Sequence, residues 1–133
     1  MTSAAVTLAG MNDPRRVPFG EIAWTEAAPG IRARETDVGG ARWAMVEYGP
    51  GASREDWCEE GHRGFVVEGE IEYRFDDGRE HLRAGEGEAF LLPPAPLGGG
   101  AHSGRNPSQR PTRLFLIDDA PGDAPEGTTR ASG

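Results

Sequence analysis

Apolar residues along this chain fall at alternate positions in short runs, each closed by glycine or proline. The clearest run sets Ile71, Tyr73 and Phe75 on one side and Glu72 and Arg74 on the other. This is the period-two pattern of a half-buried strand. Further strands are predicted over residues 19–26, 31–36, 42–48, 63–68, 80–83, 88–92 and 112–118, with the densest apolar content at 42–48 and 112–118. No segment carries a helical apolar period of useful length. Repeated short strands with turns between them predict an all-β sandwich or barrel.

The punctuation between these runs sets the organisation. Residues 49–51 and 84–87 are glycine-bearing turns, and Asp76, Asp77 and Gly78 form an Asp-Gly hairpin turn. Pro93 and Pro94 stop the 88–92 strand abruptly. Residues 94–111 read as one long Gly/Pro/Ser-rich linker, either a lid or a disordered loop. Residues 1–17 are expected to form a loose N-terminal arm and 120–133 a disordered polar tail, leaving a single barrel over 18–119.

Composition narrows the function classes. A chain of 133 residues suits one core and not two comfortable domains. The formal net charge of −8 argues against nucleic acid or an anionic membrane as partner, since both require a positive surface. All 14 basic residues are arginine, which excludes Schiff-base chemistry through a lysine. One cysteine cannot form an internal disulfide. Without the pattern of a signal peptide or a membrane-spanning run, the expected location is the cytoplasm.

Candidate chemistry concentrates in residues 56–70. Cys58, the single cysteine, and His62, one of three histidines, stand among Asp56, Glu59 and Glu60, directly ahead of an apolar strand. Nowhere else do soft, borderline and hard metal-ligand types sit so close together. Strand alternation puts Gly64 and Val66 on the face of His62, with Phe65 and Val67 on the other. His81, beside Glu80 and Arg83, reads as a solvated surface residue.

From Gly51 to Ile117 the chain resembles the cupin family, small jelly-roll barrels of the double-stranded β-helix type. The first cupin motif is a glycine, His-x-His, three or four residues, Glu, six residues and Gly. With Gly69 as the final glycine, His62 stands at the Glu position, Cys58 at the second histidine and Asp56 at the first. The spacing is kept while the identities become Asp-x-Cys-x-x-x-His. The second motif opens at Gly87 and Pro93 and closes at His102 and Asn106, with Ala95 in place of a glycine and a longer loop before His102.

The resemblance implies a small-molecule substrate, a divalent metal (Zn, Fe, Mn, Ni or Cu) in the barrel, and a homodimer. Its ligand set here would be Cys58, His62 and His102, with Asp56 as a possible fourth and Glu59 as its substitute. Lyase, isomerase, cyclase and oxygenase chemistries are all open to such a site. Two alternatives stand beside it. One is metal-free acid–base catalysis by His62, oriented by Asp56 or Glu59; the other is a non-catalytic cupin that binds a small ligand. Cys58 can also be read as buried filler, a redox thiol or a nucleophile that requires an orienting third group. Trp43, Met45, Trp57, Tyr73 and Phe90, together with Gly64 and Val66, are the candidate pocket lining, although aromatics of this kind more often form core.

Overall fold

A computed structural model describes residues 13–95 and 100–118. The strands in chain order are β1 (Thr25–Ala28), β2 (Ile31–Val38), β3 (Ala41–Tyr48), β4 (His62–Glu68), β5 (Glu70–Phe75), β6 (Leu82–Gly85), β7 (Ala89–Leu92), β8 (His102–Arg105) and β9 (Thr112–Asp118). A six-stranded antiparallel sheet runs β1-β2-β3-β9-β4-β7, and a three-stranded one runs β6-β5-β8. The only helical element among the described residues is a single 3-10 turn, Phe19–Glu21. The fold is thus all-β, with two sheets closed around one core, as the alternation predicts.

Period two decides what enters that core. On β3 the buried residues are Ala44, Val46 and Tyr48; on β9 they are Thr112, Leu114, Leu116 and Asp118. With Ile31, Val66, Ile71, Tyr73, Phe90 and Leu92 they fill the space between the sheets. Gly69 joins β4 to β5 at φ +86°. A Cβ there would lie 2.7 Å from the Pro111 carbonyl oxygen, so a side chain is barred twice, by backbone conformation and by contact.

Three expectations shift. The predicted 19–26 strand is a 3-10 turn followed by β1, because Phe19 turns in to pack edge-on against Phe115, 6.1 Å between ring centroids. The strand predicted over 80–83 begins at Leu82 instead, opposite Tyr73. His81 stays exposed ahead of it, with Nδ1 3.1 Å from the Glu72 carboxylate. The 94–111 linker is neither a lid nor a disordered loop where it is described: it contains β8, whose His102 pairs with Phe75. Residues 96–99 lie outside the described residues, as do most of the expected arm and all of the tail.

Asn106, fully buried, fastens the chain after β8. Its side-chain amide donates to the carbonyls of Gly49 (3.1 Å) and Arg110 (2.6 Å) and accepts from the Ser108 backbone N–H (2.9 Å). The closing residue of the second motif is therefore a backbone staple.

Candidate functional site

The site is assembled from three stretches far apart in sequence. The irregular segment before β4 is tied to β8 by an isolated bridge between Cys58 and His102. The Cys58 N–H donates to the His102 carbonyl (2.8 Å) and the His102 N–H to the Cys58 carbonyl (3.0 Å). His62 opens β4 and pairs in register with Asp118, the last residue of β9. These placements bring ligand atoms of Cys58, His62 and His102 within 4.8 Å of one another.

His62 is held by a carboxylate. Its Nδ1–H donates to Asp118 at 2.5 Å, because a carboxylate of low pKa only accepts. Nε2 therefore faces Cys58 Sγ, 3.7 Å away. Burial pulls the His62 pKa down, yet the hydrogen bonds to Asp118 and Cys58 and the Asp118 charge overcome it and lift it to about 9. His102 goes the other way, to about 4, through burial and the neighbouring His62 charge. Its Nε2 is buried without a partner. For Asp118, burial opposes ionisation, but the His62 and Arg42 contacts hold the carboxyl below its ordinary range. Arg42 donates to Asp118 (2.6 Å) and to Glu60 (2.9 Å) from the same nitrogen.

The arrangement fits a divalent ion of the softer transition series. Tetrahedral arms of ~2.0–2.3 Å put nitrogen and sulfur donors roughly 3.5 Å apart, close to the observed Cys58–His62 separation. The orphaned His102 Nε2 is the kind of buried atom a metal would satisfy. A histidine ligand whose other nitrogen donates to a carboxylate is the usual outer-shell pattern of metal sites.

A cavity of about 320 Å³ opens onto this group, bordered by Arg42, Ala44, Val46, Tyr48, Arg54 and Tyr73 among others. Asp56 also borders it, but at the rim: its side chain is 59% exposed and 3.5 Å from Arg54. Glu59 does not border it. Its side chain faces solvent, while its carbonyl accepts from the Ala95 N–H (3.0 Å), and Glu60 takes the inward place.

Several expected lining residues sit elsewhere. Trp43 and Met45 project from the opposite face of β3, since parity gives the interior to Ala44, Val46 and Tyr48. Trp43 packs edge-on against Phe115 there, at 5.6 Å. Trp57 is 39% exposed, with the Arg74 guanidinium 4.8 Å over its ring. Tyr73 does border the cavity, while Val66 and Phe90 belong to the core beneath it. Gly64 leaves room for a ring and not for a ligand: a Cβ there would strike the Phe90 side chain and come within 2.8 Å of Leu116.

The residues missed in sequence are Asp118, Arg42 and Arg54. Parity alone could have found Asp118, since it extends the inward series Thr112, Leu114, Leu116 by one step.

No protein-family model matches the sequence, and no curated protein matches it. Solved structures do. The polyketide cyclase RemF from Streptomyces resistomycificus superposes with a TM-score of 0.63 at 19% identity, over 82% of each chain. KdgF from Halomonas sp. gives 0.63 at 20% identity, over 84% of this chain and 98% of that one. A sugar phosphate isomerase of the cupin superfamily from Silicibacter pomeroyi gives 0.63 at 14% identity, over 79% and 75%. At such identities the likeness speaks for architecture: the chain has the fold of the cupin superfamily.

Proposed function

We propose that the barrel cavity is the active site of a small-molecule enzyme in which Cys58, His62 and His102 hold a divalent metal ion. The observation that carries this reading is the convergence of one ligand atom from each residue within 4.8 Å, at a place where the buried Nε2 of His102 has no partner. When bound, the ion would supply Lewis-acid activation of a substrate oxygen or of water. Asp118 would fix the His62 ring through Nδ1 and Arg42 would fix Asp118, so that both ligand orientation and charge are set before any ligand arrives. The fold neighbours that carry enzyme names, a cyclase and an isomerase, favour chemistry on a small molecule without specifying the reaction.

Elemental analysis of untagged protein purified without chelators tests the proposal, beside Cys58→Ser and His102→Ala. About one equivalent of metal in the native protein, lost in both variants, is expected. Folded native protein that takes up no metal on reconstitution with Zn²⁺, Fe²⁺, Mn²⁺, Ni²⁺ or Cu²⁺ would refute it.

A second reading draws on the row Cys58–His62–Asp118, with contacts of 3.7 and 2.5 Å. The third group that a histidine base or a Cys/His pair requires is available in Asp118, in place of the Asp56 or Glu59 expected from sequence. In this reading His62 moves protons without metal. Metal-free protein that retains full turnover would favour it.

A homodimer is supported by the apolar outer face of the larger sheet, where Phe65, Val67 and Leu91 are each 42–61% exposed. Sedimentation velocity of native protein against Leu91→Glu checks it: a native dimer that the substitution dissociates is expected, and a native monomer would end this reading.

A further inference from the structure

Three polar side chains bordering the cavity have no task in the reading above: Tyr48, Tyr73 and Arg54. The tyrosines are 5% and 3% exposed. Buried tyrosine hydroxyls usually find a protein partner. Here neither has one among the described residues, nor is either among the polar atoms sealed from solvent without a partner. Both hydroxyls thus end in the cavity.

Glycine at position 104 on β8 makes room for both side chains. A Cβ at Gly104 would lie 2.9 Å from the Tyr48 hydroxyl oxygen and 2.7 Å from Tyr73 Cε1. The Tyr73 ring also stands edge-on to His102, with centroids 5.6 Å apart. The Tyr73 ring therefore adjoins the metal-ligand group.

Arg54 is fixed beside them through its backbone. Its N–H donates to the Gly104 carbonyl (2.9 Å), and the Arg54 carbonyl accepts from the Ser103 hydroxyl (2.9 Å). Its side chain is 21% exposed, yet its one ion-pair partner among the described residues is the rim carboxylate Asp56 at 3.5 Å. Arg42 is a useful contrast, since two inward carboxylates engage it at 2.6 and 2.9 Å. A guanidinium offers five N–H donors in a planar fork that matches a carboxylate, and among the described residues Asp56 alone engages that of Arg54.

We infer that Arg54, Tyr48 and Tyr73 form a carboxylate-binding wall, and that the substrate is a small organic acid docked with its carboxylate on this wall and its remainder toward Cys58, His62 and His102. A tyrosine hydroxyl ordinarily titrates at about pH 10. Both hydroxyls accordingly remain proton donors at neutral pH, complementary to an anion. The cavity, at the small end of the ~300–1,000 Å³ typical of ligand sites, suits a compact acid. The inference rests on the proposal that this cavity is the substrate site, and it names the substrate class.

Isothermal titration with pyruvate, malonate and benzoate, each beside its neutral amide, tests it on metal-free and Zn²⁺-treated protein. At least one acid is expected to bind both forms at least ~10-fold more tightly than its amide, the worth of a charge-assisted hydrogen bond. Arg54→Gln should remove that preference while leaving the metal content and the circular dichroism spectrum unchanged, and Arg54→Lys should restore part of it. Tyr48→Phe with Tyr73→Phe should weaken acid binding with Arg54 intact. Acids that bind no better than amides, do not bind at all, or bind Arg54→Gln undiminished would overturn the inference. An acid preference in protein that takes up no metal would uphold the wall and refute the metal site. Metal uptake without an acid preference would do the reverse.

Discussion

Replacing Asp118 with asparagine isolates the charge behind His62. The side chain keeps its size, and its amide oxygen can still accept from His62 Nδ1, so the geometry of β9 should survive. The negative charge that faces His62 at 2.5 Å and Arg42 at 2.6 Å is lost. Outer-sphere partners of this kind are typically worth ~10–100-fold in metal affinity, or about 1.4–2.8 kcal/mol. Burial, which opposes the His62 charge, remains, so its pKa should fall from about 9 toward its ordinary 6.5. A competition titration against a chromophoric Zn²⁺ chelator reads the first effect, and imidazole NMR of metal-free protein reads the second. Zinc affinity within twofold of native, together with an unmoved His62 titration, would show that Asp118 neither orients nor charges the ring.

Three further outcomes are expected. Metal-free protein should be most stable near pH 6.5. The raised His62 pKa stabilises fully below about 6.5 and is lost as pH rises through about 9, while the depressed His102 pKa stabilises above about 6.5 and is lost as pH falls through about 4. Each limb is of order 3 kcal/mol, and a flat urea-midpoint profile from pH 5 to 8.5 in chelator would contradict both. Gly64→Ala should cost about 1–3 kcal/mol by overpacking Phe90 and Leu116, and an unchanged thermal midpoint would mean that those side chains yield freely. Asn106→Ala removes the amide donor to the Gly49 and Arg110 carbonyls, leaving them only the Ala52 N–H and the Ser108 hydroxyl. It should lower stability by ~2–3 kcal/mol in urea denaturation, and a loss below ~0.5 would show that water replaces the amide.

The strands were legible because alternation is local: Ile71, Tyr73 and Phe75 declare their face within six residues. The metal-ligand candidates were legible because Cys58, His62 and His102 belong to the residue types that bind metals, the first two at the spacing of the first motif and His102 at the close of the second, past a longer loop. Asp118 was legible only as an inward position; its partnership with His62 was not, since the two lie 56 positions apart and meet through a β4–β9 pairing that only the closed sheet specifies. Trp43 shows the converse failure. Its ring suggested a pocket, but parity on β3 sends it outward, and a one-residue change of phase exchanges every lining residue for an exterior one. β8 was hidden because Ser103 and Gly104 are poor strand formers. They serve there because the backbone of Arg54 and the rings of Tyr48 and Tyr73 come so near.

The Cys58–His102 bridge sets this site apart from metal centres that fold around their ion. Two reciprocal backbone hydrogen bonds, at 2.8 and 3.0 Å, fix the separation of these two positions whatever their side chains are. Zinc fingers gain their structure from the metal and lose it with the metal. Here the scaffold is set by main-chain pairing, so occupancy and folding should be separable properties. Side chains at 58 and 102 can then be exchanged for other donors, or for none, with the barrel left standing, and one backbone can serve successive metals or acid–base chemistry without metal.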